Sequence, residues 1–183
     1  MGYSTPVMPK FDNPFDATMP LWLEVDAAAP LREAAVSGQP APVQLALARR
    51  ALVAVVAVAE FWSNQSWNSS HQLVTSVAVD TVKEIYPYIG DYLIWRCGVP
   101  NIEDGMRTML PVVGFHDPRY EPDAVAAVAG LAELLQDTMT TIAEDEIYPV
   151  GLRGAARRIV AAAHAIEHVY RQPDHSPATD ASE

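Results

Sequence analysis

Five histidines, set among carboxylates, arginines and aromatic rings, are the side chains of this sequence best suited to chemistry. Two of them, His164 and His168, stand one helical turn apart in the string from Arg157 to His168, with Glu167 between them. Two imidazoles at i and i+4 on one helix face can hold a divalent metal, and a neighbouring glutamate can serve as base or supporting partner. A third, His71, falls on the apolar side of a helical pattern with Val74, Ala78 and Ile85. The pair His116–Asp117 sits in a stretch rich in turn residues, where a histidine beside a carboxylate can act as a general base. Adjacent side chains often point apart, and Asp117–Pro118 is also an ordinary turn signal.

The string His164-Ala165-Ile166-Glu167-His168 resembles the inverted zinc-protease motif. That motif needs a further carboxylate ligand well downstream, and only a polar tail follows here. Periodicity also speaks against a metal. At about 100° per residue, Leu152, Ala156, Ile159, Ala163, Ile166 and Tyr170 form the core stripe. His164 and His168 lie roughly 120–160° from it, beside Arg153 and Arg157, whose charge repels a cation. The preceding segment places Ala124, Val128, Leu131, Leu135, Met139 and Ile142 inward and Glu133, Asp137, Thr140 and Glu144 outward. Folding the two segments back to back about Pro149 sets Glu144 level with Arg153 and Glu133 level with His164. The expectation is a charged flank of exposed ion pairs, each contributing about 0–1 kcal/mol, with no metal. Its histidines would make that flank, or an interface built on it, sensitive to mild acid.

A competing metal set is His71, His164 and His168. One histidine on an early helix with a late His-x-x-x-His is similar in outline to DinB-like four-helix metalloenzymes. The resemblance implies a three-histidine metal site, and it conflicts with the face assignment above. It covers three residues, and no family's motifs cover a useful share of the chain.

A candidate ligand site is aromatic: Trp62, Trp67, His71, Tyr88 and Tyr92 fall between and after the two most apolar segments. Small-molecule pockets are mostly apolar with a few placed polar groups. The plainer reading of the same residues is core packing, with tyrosine and tryptophan edges reaching water. His71 by the same logic is a hydrogen-bonded core histidine. The chain has no Gly-x-Gly-x-x-Gly, no phosphate-cradling loop, no Gly-x-Ser-x-Gly elbow and no Glu-x-x-His pair, which argues against dinucleotide, nucleotide, serine-hydrolase and di-iron chemistry.

The elements that must hold these residues are helical. Half of the 183 residues are hydrophobic, so a sizeable core is available. The net charge of −11 and the absence of a basic block disfavour nucleic acid and anionic membranes. The run Ala51–Ala59 is too short to span a bilayer and reads as a buried core helix. A single cysteine, Cys97, and no charged start with an apolar run point to a reducing, cytoplasmic setting. Two lysines amid abundant Ala, Val and Arg suggest a high-GC bacterial source. The expected fold is all-α, an antiparallel bundle of four long helices plus one or two short ones. Residues 1–28 are expected to form a proline-rich extended arm, 29–171 the bundle and 172–183 a polar tail. Ser69-Ser70-His71-Gln72 reads as a capping box with Ser69 as N-cap. The functional expectation is a helical, non-metal protein without a cofactor that binds a small apolar ligand or a protein partner and self-associates. The alternative is a small bundle enzyme of specialised metabolism, acid–base or three-histidine.

Overall fold

The computed structural model describes residues 19–65, 68–97 and 121–172. These residues form an all-α fold built on four long helices. We label the elements α1 (Met19–Leu23), α2 (Ala29–Val36), α3 (Ala41–Gln65), α4 (Ser69–Ile85), α5 (Asp91–Arg96), α6 (Glu121–Glu144) and α7 (Val150–Arg171). A π-helical turn, Glu24–Ala28, joins α1 to α2, and a 3-10 turn, Tyr86–Tyr88, follows α4.

The middle of helix α3 is apolar on every side because it is buried on every side. Residues 51–59 are all buried, and the other long helices, α4, α6 and α7, pack around it. By length and composition Ala41–Asn64 could cross a membrane, yet 78% of its most apolar window lies inside the bundle. Helices α4, α6 and α7 each show one buried stripe: Val74, Ala78, Val82 and Ile85; Ala124, Val128, Leu131, Leu135, Met139 and Ile142; Ala156, Ile159, Ala163 and Ile166. These are the helical periods expected of faces packed on a common core.

Around the bundle, α3 packs on α4, α4 on α7, α7 on α6 and α6 on α3. Short connections make α3–α4 and α6–α7 hairpins. The start of α4 meets both the start of α6 and the end of α7 through His71. So α4 and α6 run the same way, and each of the four adjacent pairs around the bundle is antiparallel. The end of α4 and the start of α6 therefore lie at opposite ends of the bundle, as in the single-crossover form of a four-helix bundle. A helix of 17 residues at 1.5 Å each makes α4 about 25 Å long.

Two boundaries depart from expectation for local reasons. Residues 19–28 of the expected proline-rich arm are helical: helix begins at Met19, and Trp22, Leu23, Ala27 and Ala28 are buried in the core, while residues 1–18 lie outside the described residues. Pro30 explains the irregular turn that follows. It has no N–H, and its ring would press on the carbonyl of Asp26 in regular α geometry. The chain responds with a wider turn, in which the Ala29 N–H donates to the Glu24 carbonyl. The N-cap of α4 is Asn68 rather than Ser69: its extended backbone lets the side chain accept from the Ser70 N–H at 2.9 Å, and Gln72 is exposed. Helix α2, by contrast, stops where its glycine suggests, in a Schellman motif at Gly38 with φ of +64°. The Gln39 N–H donates to the Ala34 carbonyl and the Gly38 N–H to that of Ala35.

Candidate functional site

One end of the bundle carries a buried polar junction. His71, in the first turn of α4, has no exposed surface. Its Nε2 lies 2.7 Å from Glu121 Oε1, at the first residue of α6. Its Nδ1 lies 2.9 Å from the Tyr170 hydroxyl, near the end of α7. The Tyr170 and His71 rings meet edge to face, 5.5 Å between centroids. An ionised carboxylate only accepts, so Nε2 carries the proton that faces Glu121. In the neutral imidazole Nδ1 is then an acceptor, and Tyr170 donates to it. Burial, and then the charge of Glu121, push the Tyr170 phenol well above the usual tyrosine range, so its proton stays on oxygen. Glu121 sits where the helix dipole favours a negative charge.

Hydroxyl, imidazole and carboxylate thus stand in the order used by nucleophile–base–orienter triads. Two features separate this junction from a working triad. The hydroxyl is held protonated rather than activated, and the imidazole is sealed from solvent. Both ring nitrogens are engaged, so the junction binds three helices to one another.

His164 and His168 do not join His71. Both are exposed on α7, and the His168 Nε2 contacts the Gln172 amide at 2.7 Å. Glu167 accepts from the Gln136 amide at 2.5 Å and pairs with Arg171 at 3.0 Å, and Arg171 also pairs with Glu133. Among the described residues no group of three or more His, Cys, Asp or Glu is placed to hold a metal. The charged flank between α6 and α7 exists, but with other partners: Glu133 meets Arg171, not His164. Side chains lean toward the N-terminus of their own helix, away from the hairpin turn on α6 and toward it on α7. The partner on α7 therefore lies further from the turn than level matching suggests.

Among the described aromatic candidates, Trp62 and Tyr88 stand at opposite ends of the bundle and do not share a pocket. Trp62 is buried at the His71 end, its ring edge-on to Phe61 at 5.0 Å. Tyr88 is at the far end of α4, exposed but resting on α7, and a Cβ on Gly151 would come within 3.1 Å of its ring. Tyr92 lies on α5 and its side chain is not described, while Trp67, His116 and Asp117 fall outside the described residues.

At the Tyr88 end stands a second feature. Ile147 and Val150, flanking the α6–α7 turn, are 83% and 76% exposed, and Val36 at the end of α2 is 85% exposed. Tyr86 and Tyr88, in the 3-10 turn at the same end, are also open to solvent. Polar groups brace this end from below. Asp26 accepts from Trp22 Nε1 at 3.0 Å and pairs with Arg50 at 3.3 Å, and Arg50 caps the Cys97 carbonyl at 2.9 Å. The Arg49 guanidinium lies 5.3 Å from the Tyr86 ring centroid, and the Tyr86 hydroxyl donates to Asp91 at 2.8 Å.

Sequence reasoning missed Glu121 and Tyr170 as partners of His71. Tyr170 belongs to the core stripe of α7, and that position is itself the signal: a phenol turned toward the core needs a partner for its hydroxyl. Compared with known proteins, the chain matches no family model, no curated protein and no solved structure.

Proposed function

We propose that this protein acts by binding rather than by catalysis, as a helical, non-metal module that docks another protein through the Tyr88 end of its bundle, a second copy of itself being the first such partner. One observation carries the reading: large apolar side chains stand exposed together at that end, on Tyr86, Tyr88, Ile147 and Val150, with Val36 at the same level. Isolated exposed apolar residues are ordinary, but grouped ones mark interaction surfaces. The tyrosines suit such a role, since they offer large, stiff, amphipathic contact area. A free Cys97 fits a reducing, cytoplasmic setting for this activity.

Light scattering on the full chain across a concentration series tests it. A mass above that of one chain is expected, falling to one chain for the double variant Ile147→Asp, Val150→Asp. Both positions are exposed, so the variant keeps its fold. A strictly monomeric wild type at millimolar concentration would sink the self-association.

A second reading, acid–base chemistry, has one observation in its favour: the hydroxyl–imidazole–carboxylate order at Tyr170, His71 and Glu121. It requires a way for substrate to reach a phenol that burial holds protonated.

A further inference from the structure

A groove of about 260 Å³ opens between the π-helical turn and α6. Its floor is apolar, formed by Leu23, Ala28, Ala127 and Leu131. Its rim is polar: Glu24 and Arg32 also line it, joined by an ion pair at 2.6 Å between Arg32 Nη1 and Glu24 Oε1. Two sequence choices create the space. Pro30 forces the wide turn that displaces the backbone of α1 from regular geometry, and Gly130 withholds a side chain from the facing turn of α6, where a Cβ would meet nothing within 4 Å. A mid-helix glycine is destabilising relative to alanine, so this opening exists at some expense to the helix.

We propose that this groove binds a small uncharged molecule, one ring or short chain in size, that carries a carboxamide-type head. The size follows from the volume, which lies below the range typical of drug-sized pockets. The head group follows from the rim. Arg32 uses two of its five N–H donors on Glu24, and a carboxylate has about four lone-pair sites, so both partners keep free capacity. An amide carbonyl can accept from Arg32 while its NH₂ donates to Glu24, with the ion pair left standing. A carboxylate ligand would meet Glu24 and a chain of net charge −11, and an ammonium ligand would have to compete with Arg32.

Benzamide, benzoate and benzylamine share a ring and differ in head group, so titrating each into the ¹⁵N-labelled full chain tests site and head together. Benzamide should give saturable shifts at Ala127, Gly130 and Leu131 and across Glu24–Ala28. Benzoate and benzylamine should bind at least threefold more weakly. Gly130→Leu should abolish the benzamide shifts with the helical signal and melting intact; should it fail to fold, Ala127→Leu fills the same groove from the next turn. Arg32→Gln and Glu24→Gln should each weaken benzamide by roughly three- to tenfold, one charge-assisted hydrogen bond partly screened by water. Non-saturating or scattered shifts would overturn the site, as would full benzamide binding by the folded groove-filled variant. Tighter binding of benzoate or benzylamine would overturn the head-group assignment.

Discussion

His71 is the residue whose loss the fold tolerates least. His71→Ala removes a fully buried ring and leaves a carboxylate and a phenol without their partner. Cavity and unpaired groups together should cost about 2–4 kcal/mol, read as a lower urea midpoint. Tyr170→Phe removes one hydrogen bond and keeps the ring, so about 1–2 kcal/mol is expected. The pH dependence has a definite sign. The Tyr170 phenol is raised in the fold, so the stability it contributes is fully present below the ordinary tyrosine pKa of about 10 and is lost as pH rises beyond it. Urea midpoints at pH 8 and pH 11 should fall more steeply for the wild type than for Tyr170→Phe. That His71 belongs to the interior was legible from Val74, Ala78 and Ile85 on its face. Its partners were not, because Glu121 and Tyr170 lie 50 and 99 positions away and nothing local announces such pairings.

At the scale of elements, glycines at helix ends and helix middles should respond oppositely. Gly38→Ala puts a Cβ on a backbone with φ of +64°, and should lower stability by about 1 kcal/mol. Gly130→Ala adds a methyl in open space on a regular helix, and should raise stability by roughly 0.5–1 kcal/mol. Thermal melts of the two variants should therefore move in opposite directions from the wild type. The four long helices were legible because periodicity sums over many residues. Their starts were less so: Asn68, Ser69 and Ser70 are all competent caps, and only the extended backbone at Asn68 decides among them. The π-helical turn was illegible, since Pro20 and Pro30 read as breakers of helix although the chain can widen around a proline instead of ending there. The α6–α7 register shifted for a third reason, the lean of long side chains, which a level-matching rule ignores.

At the scale of the whole molecule, the two ends of the bundle differ in kind. One is closed by a buried polar junction, and the other presents apolar side chains to solvent. A docking face placed on the second end can change without disturbing the first. Ile147→Asp with Val150→Asp should thus leave the urea midpoint within about 0.5 kcal/mol of the wild type under dilute conditions while removing association. Equal loss of stability and association would mean that these residues support the fold itself. The flank of α6 and α7 should contribute little to either property. Its Glu133–Arg171 pair is about half exposed, and such pairs are weak in water.

The junction at His71 also bears on the order in which the molecule assembles. Each hairpin, α3–α4 and α6–α7, is made of near neighbours in sequence and can form early. The imidazole finds both partners only after the two hairpins have come together around the crossover, a closure over long stretches of chain. Its contacts should be absent from the folding transition state, with φ near zero. Substitutions there would then leave the rate of folding almost unchanged and act by hastening unfolding. The histidine works as a late clasp, and what it sets is how long the finished bundle stays shut.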